Sequence, residues 1–167
     1  MYVNFLGVCG DELINQLTHM RYMFGGKVKI PLTIMCYCGG GYSGAAQHSK
    51  NLYGLLMNIT NLTIILPSNP SAAIGLFKSA IRDDNPTIFL SHQMLMRQGL
   101  KEVVPGGEHI ISLGKAEIKR EGTDITVLAI GLMVNRALAA ANRLAENGVS
   151  LEVIDPRTLV PLDTQTI

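Results

Sequence analysis

IPLTIMCYCGGGYSGAAQHSKNLYGLLMNI, residues 30–59, reads as a buried strand (31–38), a glycine-rich turn (39–44) and a helix carrying Gln47, His48 and Ser49 in its first two turns. Strand, glycine turn and helix form the unit by which an α/β protein presents backbone N–H groups and a few side chains to a ligand at the carboxyl end of a parallel strand. Function is expected to centre here.

Periodicity extends the same architecture in both directions. Residues 4–23 place Val8, Leu13, Leu17 and Met20 on one helical face, with Asp11 and Glu12 off it. That helix begins almost at residue 1 with no capping residue, so missing upstream sequence is expected. Downstream, LTIIL (62–66) is the kind of β-branched run buried in a parallel sheet. A turn at 67–71 follows, with Ser71 set to cap a helix over 72–82. The break at 83–86 leads into a third strand, TIFLS (87–91). Strand and helix thus alternate three times, which predicts an α/β protein with a doubly wound, mostly parallel sheet.

The pattern loosens over 98–114, where Pro-Gly-Gly interrupts any period. The expected organisation is a first domain over 1–105, a linker over 106–121 and the beginning of a second α/β domain over 122–167. Residues 116–120 alternate as an exposed strand, DITVLAI (124–130) reads as a buried one, 133–147 as a helix ended by Gly148, and 149–154 as the next strand. Asp163 offers a helix cap just before the chain stops, so the second domain is expected to be cut short.

Composition narrows the class. Apolar residues make up 47% of the 167, enough for a core-rich globular chain. No apolar run approaches the roughly 18 residues that would span a bilayer, and the N-terminus lacks the basic lead and cleavage site of a signal peptide. Three cysteines without framework spacing fit a reducing compartment, so a cytoplasmic protein is expected, or a mitochondrial matrix one in a eukaryote. A net charge of +1 argues against a broad nucleic-acid-binding surface. Between Glu12 and Asp83 there is no acidic residue, while Arg21, Lys27, Lys29, Lys50, Lys78 and Arg82 fall in that gap. Such a segment tolerates an anionic ligand or an acidic partner, or is simply buried with few charges.

Gly39-Gly40-Gly41-Tyr42-Ser43-Gly44 satisfies G-x-G-x-x-G formally. A dinucleotide site also needs a carboxylate about twenty residues on for the ribose, and none precedes Asp83. An NAD or FAD site is therefore a minor alternative to a plain tight turn. His48 is either a half-buried core histidine sharing a helical face with Leu52 and Leu55 or a proton-transfer group, and its place near the ligand side of the sheet favours the second. His92, just past the third strand, stands evenly between the two roles, whereas His19 and His109 read as surface or packing residues. Cys36 and Cys38 share one strand face, but no second pair at ligand spacing accompanies them for zinc.

Five ordered blocks carry a more specific signal: FLGVCGDELINQ (5–16), AAQHS (45–49), AIRDDNP (80–86), LGKAEIKREG (113–122) and VIDPRTLVPLD (153–163). With these, nearly the whole chain resembles the beta subunit of the thiamin-diphosphate-dependent 2-oxo acid dehydrogenases, the pyruvate, branched-chain and acetoin dehydrogenase first components related to transketolase. The resemblance implies a pyrimidine-binding domain followed by the start of a transketolase-type C-terminal domain. It further implies oxidative decarboxylation with acyl transfer to a lipoyl group, in an alpha2-beta2 heterotetramer that works with a lipoyl-bearing acyltransferase. Thiamin diphosphate would lie between subunits, its diphosphate and Mg²⁺ held by the alpha subunit.

Carried over by position, Phe5 would stack on the aminopyrimidine and His48 would be the active-site histidine. The carbonyls of Leu32, Ala80, Asp83 and Asn85 would surround a structural K⁺. The glutamate that promotes the reactive cofactor tautomer would lie upstream of Phe5, and Glu12 is on the wrong segment to replace it, so this chain alone is expected to be inactive. Four positions depart from the family pattern: Met35 replaces a common arginine, Ala72 a helix-start aspartate, and Ser91 and Met96 a glutamate and a tyrosine. The contrasting expectation is a non-catalytic interaction fragment that pairs with an alpha subunit or with itself.

Overall fold

The structure is a computed structural model that describes residues 1–97 and 102–167. The first four residues of the loosened stretch, 98–101, lie outside the described residues.

The N-terminal segment is helical in three geometries: a 3₁₀ segment Val3–Cys9, a π segment Glu12–Leu17, and α1, Thr18–Met23. Val8, expected on the buried face, is 86% exposed, while Val3 and Leu6 are buried. At three residues per turn, positions three apart eclipse one another, so Val3 and Leu6 face the core and Val8 cannot. Nor does the helix start bare. Met1 and Tyr2 run beside the first strand, with a parallel bridge between Tyr2 and Tyr37 and the Tyr37 N–H donating to the Met1 carbonyl at 2.7 Å.

The strand β1 (Thr33–Cys38) is followed by α2 (Tyr53–Met57), β2 (Thr63–Ile65), α3 (Pro70–Ala80), β3 (Thr87–His92) and α4 (Gln93–Arg97). Beyond residue 101 come β4 (Glu117–Arg120), β5 (Ile125–Leu128), α5 (Leu132–Ala145), β6 (Leu151–Asp155) and β7 (Thr158–Val160). One sheet has the order β1-β3-β2-β7; its first three strands are parallel and β7 joins antiparallel to β2. The other has the order β4-β6-β5, with β5 and β6 parallel and β4 antiparallel. β4 falls within 106–121, the stretch read as a linker.

The period of two along the strands sends side chains to opposite faces. Cys36, Cys38, Ile64, Ile88 and Leu90 pack with Val3, Leu6, Leu13 and Leu56 on one face. On the other, Ile65 and Phe89 meet Ala72, Leu76 and Ala80 of α3. Helices therefore cover both faces, as a doubly wound sheet requires. Each such fully buried aliphatic side chain contributes about 1.5–3 kcal/mol.

α3 is capped by Asn69, whose Oδ1 accepts the Ala72 N–H at 2.8 Å, with Pro70 following at N1. Ser71, the expected cap, lies inside the helix, and its hydroxyl bonds Nε2 of His109 at 3.0 Å. β5, expected to be buried, leaves Ile125 50% and Leu128 45% exposed; Leu128 lies on the face opposite Val127, which packs with α5, while Ile125 stands at the start of the strand. β7 was not expected from the sequence; it carries the chain back from the second sheet to the first. At that crossing the Ser68 hydroxyl donates to the fully buried Asp155 carboxylate and the Asn135 amide donates to the Ser68 carbonyl at 2.9 Å. Burial pushes the Asp155 carboxyl up from its ordinary range, against the pull of the Ser68 hydrogen bond.

Candidate active site at the carboxyl end of the first sheet

At the end of β1 the chain turns at Gly39, which has φ +85° and no room for a side chain. A Cβ there would lie 2.0 Å from Nε2 of His92. His92 ends β3, is 7% exposed, and accepts the Met94 N–H at Nδ1, 3.2 Å away. Its lone pair is thus committed at Nδ1, leaving its proton for Nε2, and burial lowers its basicity. His92 is a wall against which the glycine turn is laid.

The turn does not run into an α-helix. Ala45 adopts φ 61° and ψ 174°, a region otherwise left to glycine, and Ala46–His48 forms a single 3₁₀ turn. The Ser49 hydroxyl donates to the Ala45 carbonyl at 2.8 Å, closing the turn on itself, and α2 begins only at Tyr53. The expected two-turn helix carrying Gln47, His48 and Ser49 is therefore absent. His48 does not share a helical face with Leu52 and Leu55, and Leu55 is 58% exposed. Without a helix N-terminus behind it, the glycine turn also lacks the aligned N–H groups that a dinucleotide pyrophosphate needs.

The His48 ring is half-buried between two aromatic edges: Tyr2 with centroids 4.3 Å apart at 82°, and Phe5 at 5.6 Å and 70°. Beside them opens a cleft of about 420 Å³ lined by Asn4, Phe5, Ala46, Gln47, Lys50 and Leu52. Phe5 keeps 42% of its surface exposed, so ring surface is left for a planar ligand. Neither ring nitrogen of His48 is hydrogen-bonded to a protein group among the described residues. The imidazole can thus exchange a proton with a ligand at either one.

A residue that sequence reasoning missed holds the base of this arrangement. Gln93 donates through Nε2 to the Gly39 carbonyl at 3.0 Å and to the His48 carbonyl at 2.6 Å. Only its position directly after the third strand could have drawn attention to it. Cys36 and Cys38 point instead into the apolar core, where burial raises both thiols, Cys38 to about 11. They are protonated packing groups at neutral pH. His19 bonds the Asn15 carbonyl on an exposed helical face.

The four residues read as carbonyl donors lie at the opposite end of the strands. The Thr87 N–H donates to the Leu32 carbonyl at 2.8 Å and the Ile30 N–H to that of Asp84 at 2.8 Å, which zips residues 30–32 to the turn after α3. Within the turn, the Asp83 carboxylate accepts both the backbone N–H and the side-chain amide of Asn85, each at 2.7 Å. Arg21 donates to Oδ1 of Asn85 at 2.7 Å. Thr33 and Thr87 sit in register on β1 and β3 next to Leu32, and both hydroxyls are buried with no hydrogen-bond partner among the described residues.

Compared with known families, residues 1–98 match the model of the transketolase pyrimidine binding domain. The chain belongs to the transketolase pyrimidine-binding family. Residues 114–167 of this transketolase-family chain match the transketolase C-terminal domain. Over all 167 residues it is 47% identical to the beta subunit of acetoin:2,6-dichlorophenolindophenol oxidoreductase of Bacillus subtilis (strain 168), covering 48% of that protein. It is 43% identical, over 94% of its length, to the pyruvate dehydrogenase E1 component subunit beta of the same organism, again covering 48%. The chain thus spans about half the length of the curated relatives it matches. Among solved structures, a split gene transketolase described as an inactive beta4 tetramer superposes over 99% of the chain and 50% of its own, with a TM-score of 0.79 at 23% identity. That likeness speaks to the fold.

Proposed function

We propose that this chain is part of the beta subunit of a thiamin-diphosphate-dependent 2-oxo acid or acetoin dehydrogenase. In this reading it pairs with an alpha subunit in an alpha2-beta2 heterotetramer and serves a lipoyl-bearing acyltransferase. The observation that carries the reading is the Phe5–His48 aromatic pair at the lip of an open cleft, at the carboxyl ends of β1 and β3. It is supported by 47% and 43% identity to subunits named for acetoin and pyruvate chemistry.

The residues present fit an aminopyrimidine. Phe5 offers ring surface for stacking, Leu52 and Ala46 supply apolar wall that excludes water, and Asn4 and Gln47 supply amides. When bound, thiamin diphosphate supplies the electron sink for decarboxylation. His48 would take up or return the proton at a ring nitrogen. For the structural K⁺, the partnerless Thr33 and Thr87 hydroxyls beside Leu32 fit an occupant that takes oxygen ligands, together with the carbonyls of Leu32, Ala80, Asp83 and Asn85.

Among the described residues, no carboxylate lines the cleft. The 167-residue chain supplied with thiamin diphosphate and Mg²⁺ is therefore expected not to turn over, because the cleft offers no carboxyl group to the cofactor's ring nitrogen. Turnover of pyruvate or acetoin by the pure chain would contradict this. Restored turnover when a full-length beta subunit bearing these residues is paired with its alpha subunit would support it.

A pairing role has its own observation. Met35, Ile74 and Phe77 line an apolar groove between β1 and α3 and are each more than a third exposed. Light scattering that finds only monomer, with no capture by an alpha subunit, would remove that role.

A further inference from the structure

Gln93 is 7% exposed, and among the described residues its side chain alone hydrogen-bonds the backbone carbonyls of both Gly39 and His48. It lies 54 residues from the first partner in sequence and 45 from the second, so its two bonds tie α4 to both ends of the glycine turn. An amide's two ends are alike in shape, but both partners here are carbonyl acceptors, so the NH₂ end must face them. Gly39 is itself pinned by His92, and the turn between the two carbonyls contains two non-glycine residues at positive φ, Ser43 and Ala45. Such a turn holds its shape only where its surroundings over-determine it. The 3₁₀ turn supplies only part of that on its own: the Ser49 hydroxyl donates to the Ala45 carbonyl at 2.8 Å, but the backbone bonds lie at or beyond the long end of the usual range, His48 N–H to the Ala45 carbonyl at 3.2 Å and Ser49 N–H to that of Ala46 at 3.4 Å.

We infer that Gln93 is a positioning residue: its twofold donation to the Gly39 and His48 carbonyls sets the height and tilt of the His48 ring against Tyr2 and Phe5. The inference rests on the proposed role of His48. Gln93 hydrogen-bonds the backbone of His48 and not its ring, and it does not line the cleft, so it acts on chemistry through the backbone it holds. Its two N–H bonds go to neutral acceptors, the Gly39 carbonyl buried and the His48 carbonyl half-buried, and a side chain of the same size without donors leaves both without that partner. A displacement of His48 by about 1 Å is enough to cost on the order of a hundredfold in rate.

The test compares Gln93→Met, which keeps volume and loses both donors, with Gln93→Glu, which keeps shape and sets carboxylate oxygen against the carbonyls. Gln93→Lys retains a donor. In the 167-residue chain the first two are expected to shift the His48 ring resonances out of the Tyr2 and Phe5 ring currents. They are also expected to raise amide exchange at Gly39 and His48 about tenfold, with exchange in β1 and β3 unchanged. Gln93→Lys should recover at least part of both. Unchanged His48 resonances and exchange in Gln93→Met, or an equal rise in exchange throughout β1 and β3, would overturn the inference.

If Gln93→Met or Gln93→Glu does not fold, the other serves, and failure of both while Gln93→Lys folds with wild-type His48 resonances supports the donation. The same substitutions in a full-length beta subunit paired with its alpha subunit should lower kcat with little change in KM. If the resonances move but His48→Ala leaves kcat intact, positioning stands and the catalytic reading of His48 falls.

Discussion

Gly39→Ala joins backbone strain and steric exclusion at one atom. At φ +85° an L-residue is disfavoured by about 1–2 kcal/mol. The added Cβ would also meet three atoms of the His92 ring at 2.0, 2.3 and 2.5 Å. That ring cannot swing away cheaply, being 7% exposed and bonded to the Met94 N–H, and overpacking of this kind costs about 1–3 kcal/mol. Urea unfolding at 25 °C should therefore show Gly39→Ala destabilised by about 2–5 kcal/mol. In a His92→Ala background the steric part disappears, and the same substitution should cost only about 1–2 kcal/mol. A loss within about 0.5 kcal/mol in the native background, or an equal loss in both, would refute the contact between the turn and His92.

Ala45→Gly should raise stability by about 1 kcal/mol, since glycine adopts φ 61° and ψ 174° without the alanine's strain; thermal unfolding reads it, and a lowered midpoint would count against the conformation. Asn69→Ala should cost about 1 kcal/mol through loss of the α3 cap in urea titrations, and an unchanged midpoint would contradict the capping assignment. Asp163 accepts hydrogen bonds from the Thr166 hydroxyl and the Ala116 N–H, which hold its carboxyl down at about 2 against an ordinary 3.8. Its folded pKa is depressed, so its contribution is present above the ordinary value and is lost as pH falls from about 4 toward about 2. Urea midpoints should drop across that window, and Asp163→Asn should flatten the drop.

Where side-chain period and packing agree, the fold was legible in the chain. Ile64, Ile65, Ile88 and Leu90 are apolar because they lie inside a two-faced sheet, and that density of β-branched and aliphatic residues is itself the signal. Local winding was not legible. Val8 falls on the apolar face of an α-helix and points to solvent in a 3₁₀ segment, a difference of about 20° per residue that composition does not encode. Asn69 and Ser71 are both good caps, and the choice between them depends on where Pro70 starts the helix. β7 is three residues long and owes its existence to the tertiary return of the chain onto β2.

At the site, His48 and Phe5 were singled out from their sequence blocks, and the fold brings their rings to 5.6 Å. The expected helix around His48 is missing because Ala45 at positive φ and the Ser49 hydroxyl close the turn early. Gln93 could not be found, because a single amide following a strand has no periodic or motif signature.

The central claim is that His48 exchanges protons beside a thiamin cofactor stacked on Phe5. The most direct measurement is kcat of a full-length beta subunit carrying His48→Ala, reconstituted with its alpha subunit, with thiamin diphosphate affinity measured alongside. The account predicts kcat lowered on the order of a hundredfold or more with affinity for the cofactor little changed. A kcat within about twofold of the unmodified enzyme would contradict it.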